Sequence, residues 1–153
     1  MAGRPDKPEV EELAEPEARA AAFRQARRSR RSELLEDYVE LIDDLCAVHG
    51  EAKQVDIAAY LGVAQPTVAR MLKRLGEAGL IQREPYRGVM LSDAGQAMAR
   101  AGRVRHAIVE AFLVDIGVDP ETACLDAEGI EHHVSPQTLE AFKAFSDRQR
   151  KNG

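Results

Sequence analysis

Two short apolar-faced helices separated by a three-residue turn leave a chain few architectures, and residues 55 to 75 have that form. Val55, Ile57, Ala58 and Leu61 recur at helical spacing, Gly62-Val63-Ala64 makes a tight turn, and Pro66 pre-sets the first turn of a second helix that runs to Leu75. This predicts a helix-turn-helix. In its second helix Val68, Met71, Leu72 and Leu75 share the buried face, which leaves Gln65, Thr67, Arg70, Lys73 and Arg74 outward. Short polar groups at the start suit base edges, and bases toward the end suit phosphates.

The flanking segments extend this unit. Gly79-Leu80-Ile81 leads into two extended stretches, about Ile81 to Glu84 and Val89 to Ser92, around Pro85-Tyr86-Arg87-Gly88. A hairpin there is a wing, with Arg87 at its tip in reach of a minor groove or a phosphate. Upstream, Leu34, Leu35, Tyr38, Val39, Leu41, Ile42 and Leu45 predict a helix from Ser32 to about His49, stopped by Gly50 in a left-handed conformation. Residues 1 to about 22 have no sustained apolar stripe and read as a disordered arm or a loosely helical extension.

Downstream, Ser92 is the expected N-cap of a long helix to about Asp115, carrying Ala94, Met98, Ala101, His106, Val109, Phe112 and Leu113. Gly117 to Pro120 breaks it, another helix follows, and Ser135-Pro136 opens a last one with Leu139, Phe142 and Phe145 on one side. These C-terminal helices leave an apolar face unaccounted for, which suits a dimer interface.

Charge is segregated along the 153 residues, so the net value of -5 misleads. Phe23 to Arg31 holds five arginines and no acid, whereas Asp115 to Glu140 holds seven acids and no base. A basic first half and an acidic second half point to a polyanion and a cation held by different parts of one chain. A hydrophobic content of 44% with 31% charged residues fits a soluble globular protein. No apolar run approaches the roughly 20 residues of a membrane span, so no membrane association and a cytoplasmic location are expected. Cys46 and Cys124 lack any Cys-x-x-Cys spacing and receive no function.

The cation has a candidate site in Glu128-Gly129-Ile130-Glu131-His132-His133. On a helix Glu128, Glu131 and His132 fall on one face, at i, i+3 and i+4. Two carboxylates and an imidazole, with no cysteine on that face, suit a hard or borderline divalent ion of the Mn²⁺ or Fe²⁺ kind. Gly129 costs a helix interior about 1 kcal/mol relative to Ala, so close packing against it is expected. Asp37 and Glu40 form a second pair far upstream, three residues apart on one side of their helix.

Taken in order, these residues resemble the diphtheria-toxin-repressor family of metal-dependent transcription regulators, and within it the regulators of manganese transport. The resemblance covers roughly Glu33 to Phe145 and rests on Glu36-Asp37-Tyr38-Val39-Glu40, Val55-Asp56-Ile57-Ala58, Gln65-Pro66-Thr67-Val68, Tyr86-Arg87-Gly88, Arg105-His106 and Glu128-Gly129-Ile130-Glu131-His132-His133-Val134-Ser135. It implies a mostly α protein. Residues 1–31 would be a flexible arginine-rich extension, 32–99 a winged helix-turn-helix DNA-binding domain, and 100–153 a helical dimerisation and metal-binding domain.

It further implies a homodimer that binds a palindromic double-stranded operator when Mn²⁺ occupies Asp37, Glu40, His106, Glu128, Glu131 and His132. Glu110 is a candidate outer-shell carboxylate, and His133 lies off the ligand face. Gln65, Pro66, Thr67, Arg70, Lys73, Arg74 and Arg87 are the expected DNA-contacting residues. The sequence departs from the iron-responsive branch: it ends without that branch's appended third domain, and it has carboxylates at Asp37 and Glu128 where that branch uses softer ligands. Both departures favour Mn²⁺, with Fe²⁺ a candidate second activator. Two other readings stay open from the residues alone: a metal-independent winged-helix regulator that senses a small organic ligand, and a carboxylate/histidine metalloenzyme.

Overall fold

Four apolar side chains decide where the first helix docks. In the computed structural model, which describes residues 15–153, α1 (Pro16–His49) buries Tyr38, Val39, Ile42 and Leu45 and nothing upstream of them. A fully buried side chain of this size contributes about 1.5–3 kcal/mol, so the second half of α1 is anchored, whereas among the described residues its first half buries no side chain. The helix begins 16 residues earlier than the expected start at Ser32. The reason is intrinsic propensity: Ala18, Ala20, Ala21, Ala22 and Ala26 alternate with arginines, and such residues propagate a helix once packing has nucleated it. The N-terminal part of the expected arm, residues 1–14, lies outside the described residues. Gly50 ends α1 at φ 81°, in the left-handed region, as its position predicts.

The winged-helix core forms against that anchored face. α2 (Gln54–Leu61) and α3 (Gln65–Glu77) contribute Ile57, Val68, Leu72 and Leu75, all essentially without exposure. β1 (Ile81–Arg83) and β2 (Val89–Leu91) pair antiparallel with Ile81 opposite Leu91 and Arg83 opposite Val89. Ala52, just after α1, bridges to Val89 and ties the helix to the base of the wing.

α4 (Asp93–Asp115) carries the chain into the second half. Ser92 caps it, accepting from the Gly95 amide at 3.1 Å while its hydroxyl donates to the Gly79 carbonyl at 2.6 Å. The buried line on α4 is Gly95, Ala99, Gly102 and Val109; Ala94 and Ala101, expected on the apolar face, are exposed. Small residues are needed on that line because α1 and the wing approach closely. A Cβ at Gly95 would run into the Leu80 carbonyl oxygen, which is backbone and cannot rotate away. Gly95→Ala is therefore expected to cost about 1–3 kcal/mol, an overpacking penalty. Thermal unfolding should register that as a fall of several degrees, and an unchanged melting temperature would show that the Leu80 turn yields.

α5 (Pro120–Ile130) and α6 (Pro136–Asn152) pack on α4. The Asp119 carboxylate and the Ser135 hydroxyl cap them, accepting from the Thr122 and Thr138 amides. Phe142 stacks on Phe112 with centroids 3.9 Å apart, and Phe145 meets the same ring edge-on at 5.5 Å, so the expected apolar side of α6 faces α4. Val104, Val114, Ile116 and Leu125 stay exposed on this half. Among the described residues no helix is long and apolar enough to cross a membrane.

Candidate metal centre and DNA-facing surface

The end of α5 is not the regular helix that the spacing predicts. α5 stops at Ile130; Glu131 occupies the cap position with helical angles, its amide donating to the Ala127 carbonyl, and His132 and His133 lie in the turn that follows. Glu128 and Glu131 still share a side, and the turn swings the His132 ring toward α1. Gly129 has open space around its Cβ position, so the close packing expected there does not exist. The glycine against which this centre packs is Gly102 on α4, where a Cβ would lie deep inside contact distance of Glu40 Oε1.

Three elements converge. From α1, Asp37 Oδ1 lies 3.5 Å from His132 Nε2, and Glu131 Oε1 lies 3.5 Å from the same nitrogen. From α4, His106 Nδ1 lies 3.5 Å from Glu128 Oε1, and donor atoms of His106, Glu128 and Glu131 all fall within 4.8 Å of one another. Glu40 presses on Gly102 and shares the field of Glu131, Asp37 and Glu128. The structure thus brings His106, Glu128 and Glu131 together as one donor set, places His132 and Asp37 beside Glu131, and sets Glu40 within the field of these groups. His133 turns away and pairs with Glu33 at 3.3 Å.

Electrostatically the cluster is frustrated. Glu131 is 2% exposed, and its burial, with the Glu40 charge next, pushes its pKa up to about 7 against the pull of His132 and His106. Burial likewise pushes the Asp37 and Glu40 carboxyls up, with neighbouring carboxylates adding to it and His132 opposing it. Glu40 Oε1 and Glu131 Oε2 are buried with no hydrogen-bond partner among the described residues. A buried carboxylate oxygen without a donor is costly, and a cation is what would satisfy several of them at once. The donor set of carboxylates and imidazoles therefore fits a hard or borderline divalent ion.

Three residues around the centre were not singled out from sequence. Glu36 Oε2 sits 2.8 Å from His132 Nδ1 and 2.7 Å from Arg105 Nη2, so it fixes the imidazole with Nε2 facing the centre while Arg105 offsets its charge. Glu36 precedes Asp37 by one residue, and that adjacency hid it, since neighbours on a helix normally face different ways. Cys124 contradicts the expectation of no thiol near the ligand face: its Sγ lies 3.9 Å from His106 Nε2, which also meets Glu110 Oε2 at 3.3 Å. The signal was present, because Cys124 stands one helical turn before Glu128.

In the winged-helix half, α3 exposes Gln65, Pro66, Arg70, Lys73 and Arg74, with Thr67 half-buried and accepting from Arg70 at 3.5 Å. Arg87 is exposed at the wing and pairs with Glu84 at 3.4 Å. Beside it Tyr86 projects fully into solvent at φ 64°, a conformation that bulky residues rarely adopt.

Comparison with known proteins agrees with this division of labour. Residues 32–89 match the family described as iron dependent repressor, N-terminal DNA binding domain, and residues 92–152 match iron dependent repressor, metal binding and dimerisation domain. The chain is 54% identical to the transcriptional regulator MntR of Escherichia coli O157:H7 over 96% of its own length and 95% of that protein. It is 40% identical to the HTH-type transcriptional regulator MntR of Listeria monocytogenes serotype 4a over 69% of its length and 75% of that protein. Its fold is similar to that of the manganese regulator SloR, with a TM-score of 0.64 and 27% identity over 74% of this chain; the chain spans only about half, 53%, of that relative. The chain belongs to the iron-dependent repressor family, the diphtheria-toxin-repressor group of metal-dependent transcription regulators, and within it to the MntR branch.

Proposed function

We propose that this protein is a homodimeric repressor of metal-transport genes that binds its operator when Mn²⁺ fills the centre described above, and that it acts in the cytoplasm. The single observation that carries this reading is the convergence of α1, α4 and the end of α5 on a cluster holding two buried carboxylate oxygens that lack partners among the described residues. Asp37, Glu40, His106, Glu128, Glu131 and His132 would hold the ion. Bound there, it supplies the positive charge that lets several close carboxylates ionise together. Oxygen-rich ligation favours Mn²⁺, the weakest binder of its row, with Fe²⁺ as a second activator. Cys124 beside His106 adds a softer donor at the edge of the centre.

The chain's own residues convert that charge balance into geometry. Asp37 and Glu40 ride on the helix whose Tyr38, Val39, Ile42 and Leu45 form the winged-helix core, and Glu128, Glu131 and His132 belong to the C-terminal half. Repulsion among them loosens the junction; relief of that repulsion closes it and sets the direction of α3 in each protomer. Two α3 helices about 34 Å apart, or a multiple of that, meet successive major grooves of a palindromic operator. A difference of about 1–3 kcal/mol between the two states changes operator affinity roughly 5- to 150-fold, and DNA must tighten metal binding by the same factor. Gln65, Pro66 and Thr67 would meet base edges; Arg70, Lys73, Arg74 and Arg87 would meet phosphates. Residues 32–99 and 100–153 are the two domains so coupled.

A gel shift on the promoter of the chain's own gene, with Mn²⁺ and then with chelator, tests the whole reading: retention that ignores the metal would sink it. Arg70→Ala and Lys73→Ala should each weaken binding and flatten the salt dependence by about one unit of slope while leaving Mn²⁺ affinity alone. Glu36→Gln should lower Mn²⁺ affinity about 10- to 100-fold in calorimetry without unfolding the protein, because His132 loses its orienting carboxylate. Parental affinity in that variant would reduce Glu36 to a structural ion pair with Arg105.

A further inference from the structure

Between Pro16 and Arg31, α1 carries six arginines and one acid, Glu17, and none of these side chains is buried. Arg24 pairs with Glu17 at 2.6 Å and Arg28 donates to Gln25 at 2.8 Å; among the described residues Arg19, Arg27, Arg30 and Arg31 meet no acid. None of the six reaches the acidic stretch Asp115 to Glu140 of the same chain, although α1 passes beside it at Glu33 and His133.

The arginines are ordered. Arg24, Arg27, Arg28 and Arg31 stand at i, i+3, i+4 and i+7, a stripe on one face. At about 100° per residue, that stripe continues the face which Tyr38, Val39, Ile42 and Leu45 bury in the winged-helix core. One face of one helix is thus apolar where a core exists to meet it and cationic beyond. Arginines one turn apart repel, so the arrangement favours an external polyanion, and the guanidinium fork matches phosphate oxygens. Sixteen residues extend about 24 Å, the length of roughly seven base pairs of duplex.

We propose that the arginine-bearing first half of α1 lies against the phosphate backbone of duplex DNA flanking the operator and supplies affinity that does not depend on sequence. The proposal rests on the reading of this protein as an operator-binding repressor. Asp37 and Glu40 sit on the same helix, so the element that meets the metal centre also aims the arm.

The test compares the full-length protein with a variant carrying Arg27→Gln, Arg28→Gln, Arg30→Gln and Arg31→Gln, at saturating Mn²⁺. Each is titrated against its promoter duplex, once with long flanks and once trimmed to the footprinted operator. If two arginines per arm meet phosphates, the dimer's salt dependence on the long duplex should flatten by roughly 3 to 4 units of slope, while the two proteins should agree on the trimmed duplex. The corresponding Arg→Lys variant should keep the parental slope, since a point charge suffices for a phosphate. Equal slopes on the long duplex, or the same loss on both duplexes, would overturn the proposal. So would a DNA-free change in sedimentation, which would place the arm on a second copy of the chain. Circular dichroism checks that the variant keeps its helix content. If the parent's own retention ignores Mn²⁺, the regulatory reading fails instead, and the slopes on the long duplex still judge the arm.

Discussion

Glu131→Gln is expected to erase Mn²⁺-dependent operator binding and at the same time to stabilise the metal-free protein at pH 8. Removing even an outer partner of a metal ligand commonly costs 10- to 100-fold, so loss of a central carboxylate should lower Mn²⁺ affinity by more than about 100-fold. The stability gain has the same origin. Glu131 is buried in the field of Glu40, with one oxygen lacking a partner among the described residues, and its ionisation at pH 8 works against burial. The amide keeps the shape and removes the charge, so the repulsion from Glu40 is lost. Melting curves with and without Mn²⁺ check both halves. A variant whose melting temperature Mn²⁺ raises as much as the parent's would show that Glu131 is not a ligand.

Mn²⁺ affinity is expected to fall steeply on acidification, by up to about 100-fold between pH 7 and pH 5. With the Glu131 pKa pushed up to about 7, the metal-free centre holds a proton below that pH which the ion must displace, at up to tenfold per pH unit. Asp37 and Glu40, also pushed up, steepen the dependence at its acid end. The stability of the metal-free protein runs the other way. Its folded state binds a proton on Glu131 that the unfolded chain, at the ordinary value of 4.5, has already released. Between about pH 4.5 and 7 it should therefore lose stability as pH rises, and Mn²⁺ should restore it. Calorimetric titrations across this range decide the matter, and an affinity flat from pH 5 to 7 would mean that no ligand proton is displaced.

The parts of this molecule that were legible in its sequence are those where one local pattern carries the information. Val68, Met71, Leu72 and Leu75 are all buried as their spacing predicts, and the wing falls within a residue of its expected limits. Glu128, Glu131 and His132 announce themselves as a donor set because they are close in sequence. Glu36 does not, because its role is to hold a nitrogen of a residue 96 positions away. Gly129 and Gly102 make the same point in reverse: both are helical glycines, and only the docking of α1 on α4 reveals which has a carboxylate pressed against it. The early start of α1 escaped because a helix built on alanine propensity leaves no apolar stripe to read.

The order of synthesis gives the two-part centre a further meaning. Asp37 and Glu40 leave the ribosome long before Glu131 and His132, and the winged-helix core, which includes Ala99 on α4, is complete some 30 residues earlier. At about 5–20 residues per second a nascent chain spends several seconds with a folded reading head and no metal switch. Products truncated before α5 would stay in that condition. On the ligand assignment proposed above, splitting the ligands between the first helix and the far end would make metal responsiveness a property of the intact polypeptide.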